Sequence, residues 1–308
     1  MLDFGGSGPP VLFVPSLINR WTVLDLMRDH SMMRWLASRG VHPLLLDWGA
    51  PEPAFSLTDH IAGRLVRAME AVGERHVLAG YCMGGTFAVA AAALRPDLIN
   101  GLLLLAAPWD FHAGDAGSQT NLAIVRHYFT PLLAHSGTLP VDALQMLFAL
   151  ENPSAIAEKF RRFGRQDQNS AEAHFFVALE DWLNDGLPLS GTVARECIRD
   201  WYQENLPNRG AWRITGLPID PTSIKAPALV AIPGRDRIVP PASSQALAHA
   251  LPNATVLKIA SGHVGMTAGR SAPKLLWEPV RAFIESVKPP KPSRIRTARR
   301  QNSPEVLG

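Results

Sequence analysis

At 308 residues with 47% apolar side chains, the chain is long enough to bury one large core, and open α/β sheets of this size are often single domains. It has two cysteines, Cys82 and Cys197, no N-terminal signal pattern and no unbroken run of about 18 apolar residues. That leaves secretion and membrane insertion unsupported, with both thiols expected reduced in a cytoplasmic protein. The formal net charge is a modest +3, unevenly placed.

In chain order, Val11-Leu12-Phe13-Val14 reads as a strand and Pro15-Ser16-Leu17-Ile18-Asn19-Arg20 as the loop after it. Ser31 to Arg39 reads as a helix offering Met32, Met33, Trp35 and Leu36 to a core. Val41 to Leu46 is the next strand, closed by Asp47-Trp48-Gly49, and Leu57 to Val72 an amphipathic helix. The short apolar run His76-Val77-Leu78-Ala79 then leads through Gly80-Tyr81-Cys82-Met83-Gly84-Gly85 into the alanine-rich Phe87 to Leu94.

Strand, tight turn around one glycine-flanked residue, then helix is the context of a nucleophile elbow. Glycines let the chain turn sharply and raise the central side chain from the sheet edge. Here that side chain is a thiol. An acyl group on sulfur stays activated, so Cys82 suits passing it onward better than hydrolysing it. The alternative is a buried cysteine in a tight packing turn.

Gly101 to Leu105 is a further apolar strand. A long insertion follows, from Trp109 to Arg209, with aromatic-rich stretches at His174-Phe175-Phe176, Trp182 and Trp201-Tyr202. A connection this long carries structure or function of its own. It is read as a lid over the site, against an ordinary helical insertion packed on the core. His112, His127 and His174 are read as surface or core histidines, Cys197 as a spectator on a lid helix. No Cys/His spacing resembles a metal site.

Pro227 to Ile232 reads as a buried parallel strand ending in Pro233-Gly234-Arg235-Asp236-Arg237. Ala254 to Ile259 is the next, leading into Ser261-Gly262-His263-Val264-Gly265. Both put a titratable residue just past the carboxyl end of a strand, where open α/β sheets place their sites. Taken alone, Asp236 could be a helix cap or loop carboxylate and His263 a surface histidine. Nucleophile, acid, histidine is nevertheless the α/β-hydrolase order, and alternating strands and helices imply a mostly parallel sheet covered on both faces. After Val287 the chain is rich in proline and cations, from Lys288 to Arg300. This reads as a disordered basic tail, either a solubilising segment or one drawn to an anionic surface. The expected organisation is thus a core in two parts, 1–108 and 210–287, an insertion over 109–209 and a tail over 288–308.

The chain resembles the catalytic subunit of polyhydroxyalkanoate synthases, most of all the class III type. The resemblance rests on Asn19-Arg20, Leu24-Asp25-Leu26, Leu46-Asp47-Trp48-Gly49, Gly80 to Thr86, Ala106-Ala107-Pro108 and Asp110-Phe111. Further on it includes Glu180-Asp181-Trp182-Leu183-Asn184-Asp185, Tyr202-Gln203-Glu204-Asn205, Asp236, Val239-Pro240-Pro241 and Ser261 to Gly265. Several of these have no general α/β-hydrolase rationale.

The resemblance implies an α/β-hydrolase fold and an acyltransferase that polymerises 3-hydroxyacyl-coenzyme A without an external cofactor or metal. Cys82 would be the nucleophile, His263 the base and Asp236 its orienting acid, with the amides of Met83 and Ile18 as oxyanion donors. Trp182, Asn184 and Asp185 would shape the acceptor site on the lid. Expected partners are a second synthase subunit or another copy of the chain, and a polymer granule surface, with no nucleic acid. The competing expectations are a thioesterase or esterase with water as acceptor, and a non-catalytic granule-associated homologue. Two departures stand out. The family has residues upstream of the first parallel strand, so a sheet edge is expected to need a partner's cover, unless the start codon is misassigned. It also has a histidine directly after the acid, where this chain has Arg237, a cation expected to favour ionised Asp236.

Overall fold

The structure is a computed structural model that describes residues 1–114, 125–150 and 153–287. Its sheet is built from β1 (Leu2–Asp3), β2 (Pro10–Val14), β3 (His42–Leu45), β4 (His76–Tyr81), β5 (Ile99–Leu105), β6 (Ala228–Pro233) and β7 (Ala254–Ile259). The order across the sheet is β1-β3-β2-β4-β5-β6-β7. β1 runs antiparallel to β3, and every other neighbouring pair is parallel.

Side chains alternate across each strand with period two. On β2, Leu12 and Val14 join Leu78, Leu102, Leu104 and Val230 on one face, while Val11 and Phe13 join Val77, Ala79, Leu103 and Ala231 on the other. Both faces are buried, which is why these strands read as continuous apolar runs. Helix α1 (Met32–Ala37) covers the second face through Met32, Met33 and Leu36. The first face packs against α2 (Val66–Ala71) and α3 (Met83–Leu94).

The expected elements are present with shifted ends. Helix α1 starts one residue inside the expected span because Ser31 caps it, its Oγ accepting from the Arg34 amide at 3.0 Å. The segment read as one helix over Leu57 to Val72 is a wide-turned Asp59–Leu65 continuing as α2. Helix α3 begins at Met83, directly after the cysteine, rather than at Phe87.

The edge expected to be bare is partly covered by the chain itself. Leu2 lies opposite Leu45 and Asp3 opposite Leu44, and the Phe4 amide donates to Pro43. A two-residue strand has no periodicity to read, so the sequence did not announce it.

Between β5 and β6 lie helices α4 (Thr130–Ser136), α5 (Val141–Leu150), α6 (Pro153–Phe163), α7 (Ala171–Asn184) and α8 (Gly191–Glu196), the last continuing as Cys197–Gln203. An aromatic cluster ties the end of this region to α3 and the segment after β5. Trp201 stacks on Phe111 at 5.1 Å and meets Trp212 edge-on at 5.6 Å and Phe87 at 6.1 Å. Cys197 is buried in the same core cluster, where burial first, then Glu196 and Asp200, push its thiol well above the usual range. His112, His127 and His174 are all exposed. Two motifs of the resemblance meet here: the Asn205 side chain donates to Asp110 Oδ1 at 2.8 Å and accepts from the Phe111 amide at 3.0 Å.

The second half of the core adds α9 (Pro241–Ala250), α10 (Gly265–Ala268) and α11 (Glu278–Val287), whose Val280 and Ile284 close the face held by α1. Among the described residues no helix is long and apolar enough to cross a membrane, and no group of three or more His, Cys, Asp or Glu gathers as a metal site. The basic stretch Lys288 to Arg300 lies outside the described residues.

Candidate active site

Cys82 sits between β4 and α3 with φ 55° and ψ −129°, a backbone state that costs a non-glycine residue of order 1–3 kcal/mol and survives only where its surroundings enforce it. Its amide donates to Leu105 at 2.9 Å, and its carbonyl accepts from Gly85 at 2.8 Å. The flanking glycines are needed for close approach. A Cβ on Gly84 would lie 2.1 Å from the Val14 carbonyl oxygen, and one on Gly80 2.4 Å from that of Gly84. The turn therefore nests against β2, and the thiol stands half-buried at the amino end of α3, where the helix dipole favours negative charge.

His263 and Asp236 arrive on the loops after β7 and β6. His263 Nδ1 lies 2.7 Å from Asp236 Oδ2, and Asp236 Oδ1 accepts from the amides of Ile238 and Val239, each at 2.9 Å. The Asp236 side chain is fully buried and the His263 side chain 7% exposed. Arg237, next in sequence, is exposed, and among the described residues the ion pair of Asp236 is with His263. The cation expected to influence Asp236 is therefore no direct partner; two amides and an imidazole hold that carboxylate.

Burial opposes the charged imidazole of His263, but the Cys82 and Asp236 charges and hydrogen bonds with both outweigh it, and its pKa is pushed up to about 10. With Nδ1 engaged by Asp236, the contact with sulfur falls to Nε2. In a Cys82→Ala variant the largest raising influence is gone while burial remains. The His263 titration midpoint is then expected to fall, followed through its ring proton shifts by NMR; an unmoved midpoint would mean that the two side chains do not interact.

Tyr81 was not singled out from sequence. Its ring lies 5.1 Å from the His263 imidazole at 34°, and its buried hydroxyl donates to the His263 carbonyl at 3.4 Å. It thus steadies the histidine loop from beneath. Its place beside Cys82 was the only available signal.

A cleft beside Cys82 and His263 is walled by Ser16, Ile18, Arg20, Trp182 and Ile238. Met83, as the first residue of α3, has an amide without an intrahelical acceptor. The Ile18 amide instead donates to Ser16 Oγ at 3.1 Å, so in this state it is engaged in a local turn. Of the three lid residues expected at the site, Trp182 is there, buried, its indole donating to the Arg20 carbonyl at 2.8 Å. Asn184 is exposed and donates to Glu180 of its own helix at 2.7 Å. Asp185 reaches the cleft only through Arg20, its Oδ2 2.6 Å from Nε. The resemblance grouped all three at the acceptor site on the lid, but at the carboxyl end of α7 these neighbours point different ways.

The α/β hydrolase fold family matches residues 9–267. The poly(3-hydroxyalkanoate) polymerase subunit PhaC of Allochromatium vinosum is 30% identical over 86% of this chain and 77% of its own length. The chain belongs to the poly(3-hydroxyalkanoate) polymerase family. The PhaC subunit of Synechocystis sp. is 29% identical over 83% of this chain and 72% of that protein. That of Haloferax mediterranei is 29% identical over 88% of this chain but only 57% of its own length, so the chain spans little more than half of that polymerase subunit.

Solved structures with the same fold include an esterase from Thermogutta terrifontis (TM-score 0.58, 20% identity, 93% of this chain and 92% of that one). A monoacylglycerol lipase from Paleococcus ferrophilus has the same TM-score of 0.58 at 16% identity, covering 93% of this chain and 98% of that one. The α/β-hydrolase architecture expected from the sequence is the one observed, and the polymerase family is the one the motifs indicated.

Proposed function

We propose that this chain is an acyltransferase that polymerises 3-hydroxyacyl groups from coenzyme A thioesters through a covalent thioester on Cys82. The observation that carries the reading is a thiol held in a strained turn against an imidazole whose other nitrogen is fixed by a buried carboxylate. In this reading Nε2 of His263 takes the Cys82 proton while Asp236 fixes the tautomer and stabilises the imidazolium. The sulfur attacks the thioester carbonyl. The tetrahedral oxyanion is received by the Met83 amide and, once Ser16 releases it, by that of Ile18; one such donor is typically worth about 2.7–4 kcal/mol. Coenzyme A leaves with a proton from His263, and acyl-Cys82 remains.

His263 then takes the proton of the 3-hydroxyl of a second acyl group, whose oxygen attacks the thioester; the C–S bond breaks, an ester forms, and the Cys82 sulfur leaves with the proton returned by His263. Trp182 over the cleft favours this acceptor by restricting water at the thioester, since a positioned hydroxyl has a large effective molarity. The chemistry asks for no external cofactor. The relatives are named as polymerase subunits, which supports a second subunit or a further copy of the chain as partner. A polymer granule surface in the cytoplasm is the location that follows from the reaction.

The test is incubation of purified protein with 3-hydroxybutyryl-coenzyme A, following coenzyme A release and product mass together. The expected result is release with oligomer or polymer and an acyl adduct on Cys82 by mass spectrometry. Release with only free 3-hydroxy acid, with and without candidate partners, would replace the synthase reading by a hydrolase one. No release at all would leave a non-catalytic homologue.

A further inference from the structure

Arg20 stands on the loop after β2 and forms part of the cleft wall shared with Cys82. Its backbone is fixed: the carbonyl accepts the Trp182 indole N–H, and two residues earlier the Ile18 carbonyl accepts from the Leu187 amide at 3.3 Å. Its tip is held on one side only. Nε lies 2.6 Å from Asp185 Oδ2 and donates to the Asp185 carbonyl oxygen at 3.1 Å, while neither Nη group makes a hydrogen bond among the described residues. The two side chains are 42% and 63% exposed, so water screens this ion pair and it holds weakly.

A half-engaged guanidinium at a cleft mouth is an anion receptor awaiting a better anion. Its planar fork matches the paired oxygens of a phosphate, and charge-assisted, two-pronged contacts of that kind are stronger than an exposed monodentate carboxylate pair. A second exposed cation, Arg237, stands next to Ile238, which also lines the cleft. The leaving group of a coenzyme A thioester carries several phosphate charges at the end of a flexible arm, and the acyl end must reach Cys82.

We propose that Arg20 anchors the phosphate groups of the thioester substrate, and that Asp185 occupies Arg20 in the resting state and is displaced when substrate arrives. This rests on the acyl-transfer reading above. Exchange of Asp185 for phosphate would also release the side-chain latch between the carboxyl end of α7 and the loop after β2. The Trp182 hydrogen bond would stay as the hinge.

The test compares 3-hydroxybutyryl-coenzyme A with the matching pantetheine thioester, which lacks the diphosphate, in the full chain. Binding of free coenzyme A is measured in parallel by calorimetry. Arg20→Gln is expected to weaken coenzyme A binding and raise KM for its thioester about tenfold or more, the scale of one lost charged hydrogen-bonding pair. The preference for the coenzyme A ester over the pantetheine ester falls by the same factor. Asp185→Asn is expected to do the reverse, tightening coenzyme A binding. Equal losses with both esters in Arg20→Gln, or unchanged coenzyme A affinity in both variants, would overturn the proposal while leaving the acyl-transfer reading intact. A parent chain that neither binds coenzyme A nor releases it from a thioester would overturn both.

Discussion

Replacing Cys82 with alanine is expected to abolish coenzyme A release, while Cys197→Ala remains close to the parent per folded molecule. The loss at Cys82 should be on the order of 10⁶-fold in kcat, the scale met when a hydrolase nucleophile is removed. The contrast follows from where the two thiols stand. Cys82 is half-buried at the amino end of α3 and lines the same cleft as His263. Cys197 is buried among apolar side chains, where desolvation keeps it a neutral thiol, and a neutral thiol is a poor nucleophile. Its truncation costs some packing, so stability should be measured alongside activity. Equal losses of turnover in the two variants, or an acyl adduct appearing on Cys197, would remove Cys82 from its role.

Asp236→Asn is expected to keep the fold and lower turnover about 10⁴-fold, as when another triad carboxylate is neutralised. The geometry gives the reason. Asp236 Oδ1 accepts two backbone N–H groups, from Ile238 and Val239, so the oxygen of an asparagine is held at that position. Its NH₂ group must then face His263 Nδ1, where Oδ2 stood at 2.7 Å. A ring accepting at Nδ1 carries its proton on Nε2 and cannot take one from sulfur. Thermal unfolding should change little, because the amide is nearly isosteric and keeps the loop bonds. The measurement is kcat with the coenzyme A thioester beside a melting curve; a variant that retains most of its turnover would show that Asp236 does not orient the histidine.

What the amino-acid sequence determined by itself is everything that local chemistry encodes. The buried parallel strands are continuous apolar runs because both faces of the sheet are covered, so β2, β4, β5 and β6 could be read directly, while the edge strand β7 keeps Thr255 and Lys258 exposed. The glycines around Cys82 could be read because a turn that nests backbone against backbone leaves no room for a Cβ. Asp236 and His263 could be placed because each follows a strand of the parallel sheet. The tertiary structure alone decided which long-range partners share a polar atom. Nothing local couples Asn205 to Asp110, Tyr81 to the His263 loop or Arg20 to Asp185, since each contact spans many residues and depends on how loops pack after the sheet has formed. For the same reason Asn184 and Asp185 could not be sorted from Trp182. Adjacent positions near a helix end look alike in sequence, and only packing against the loop after β2 turns one into the cleft and leaves the others in water.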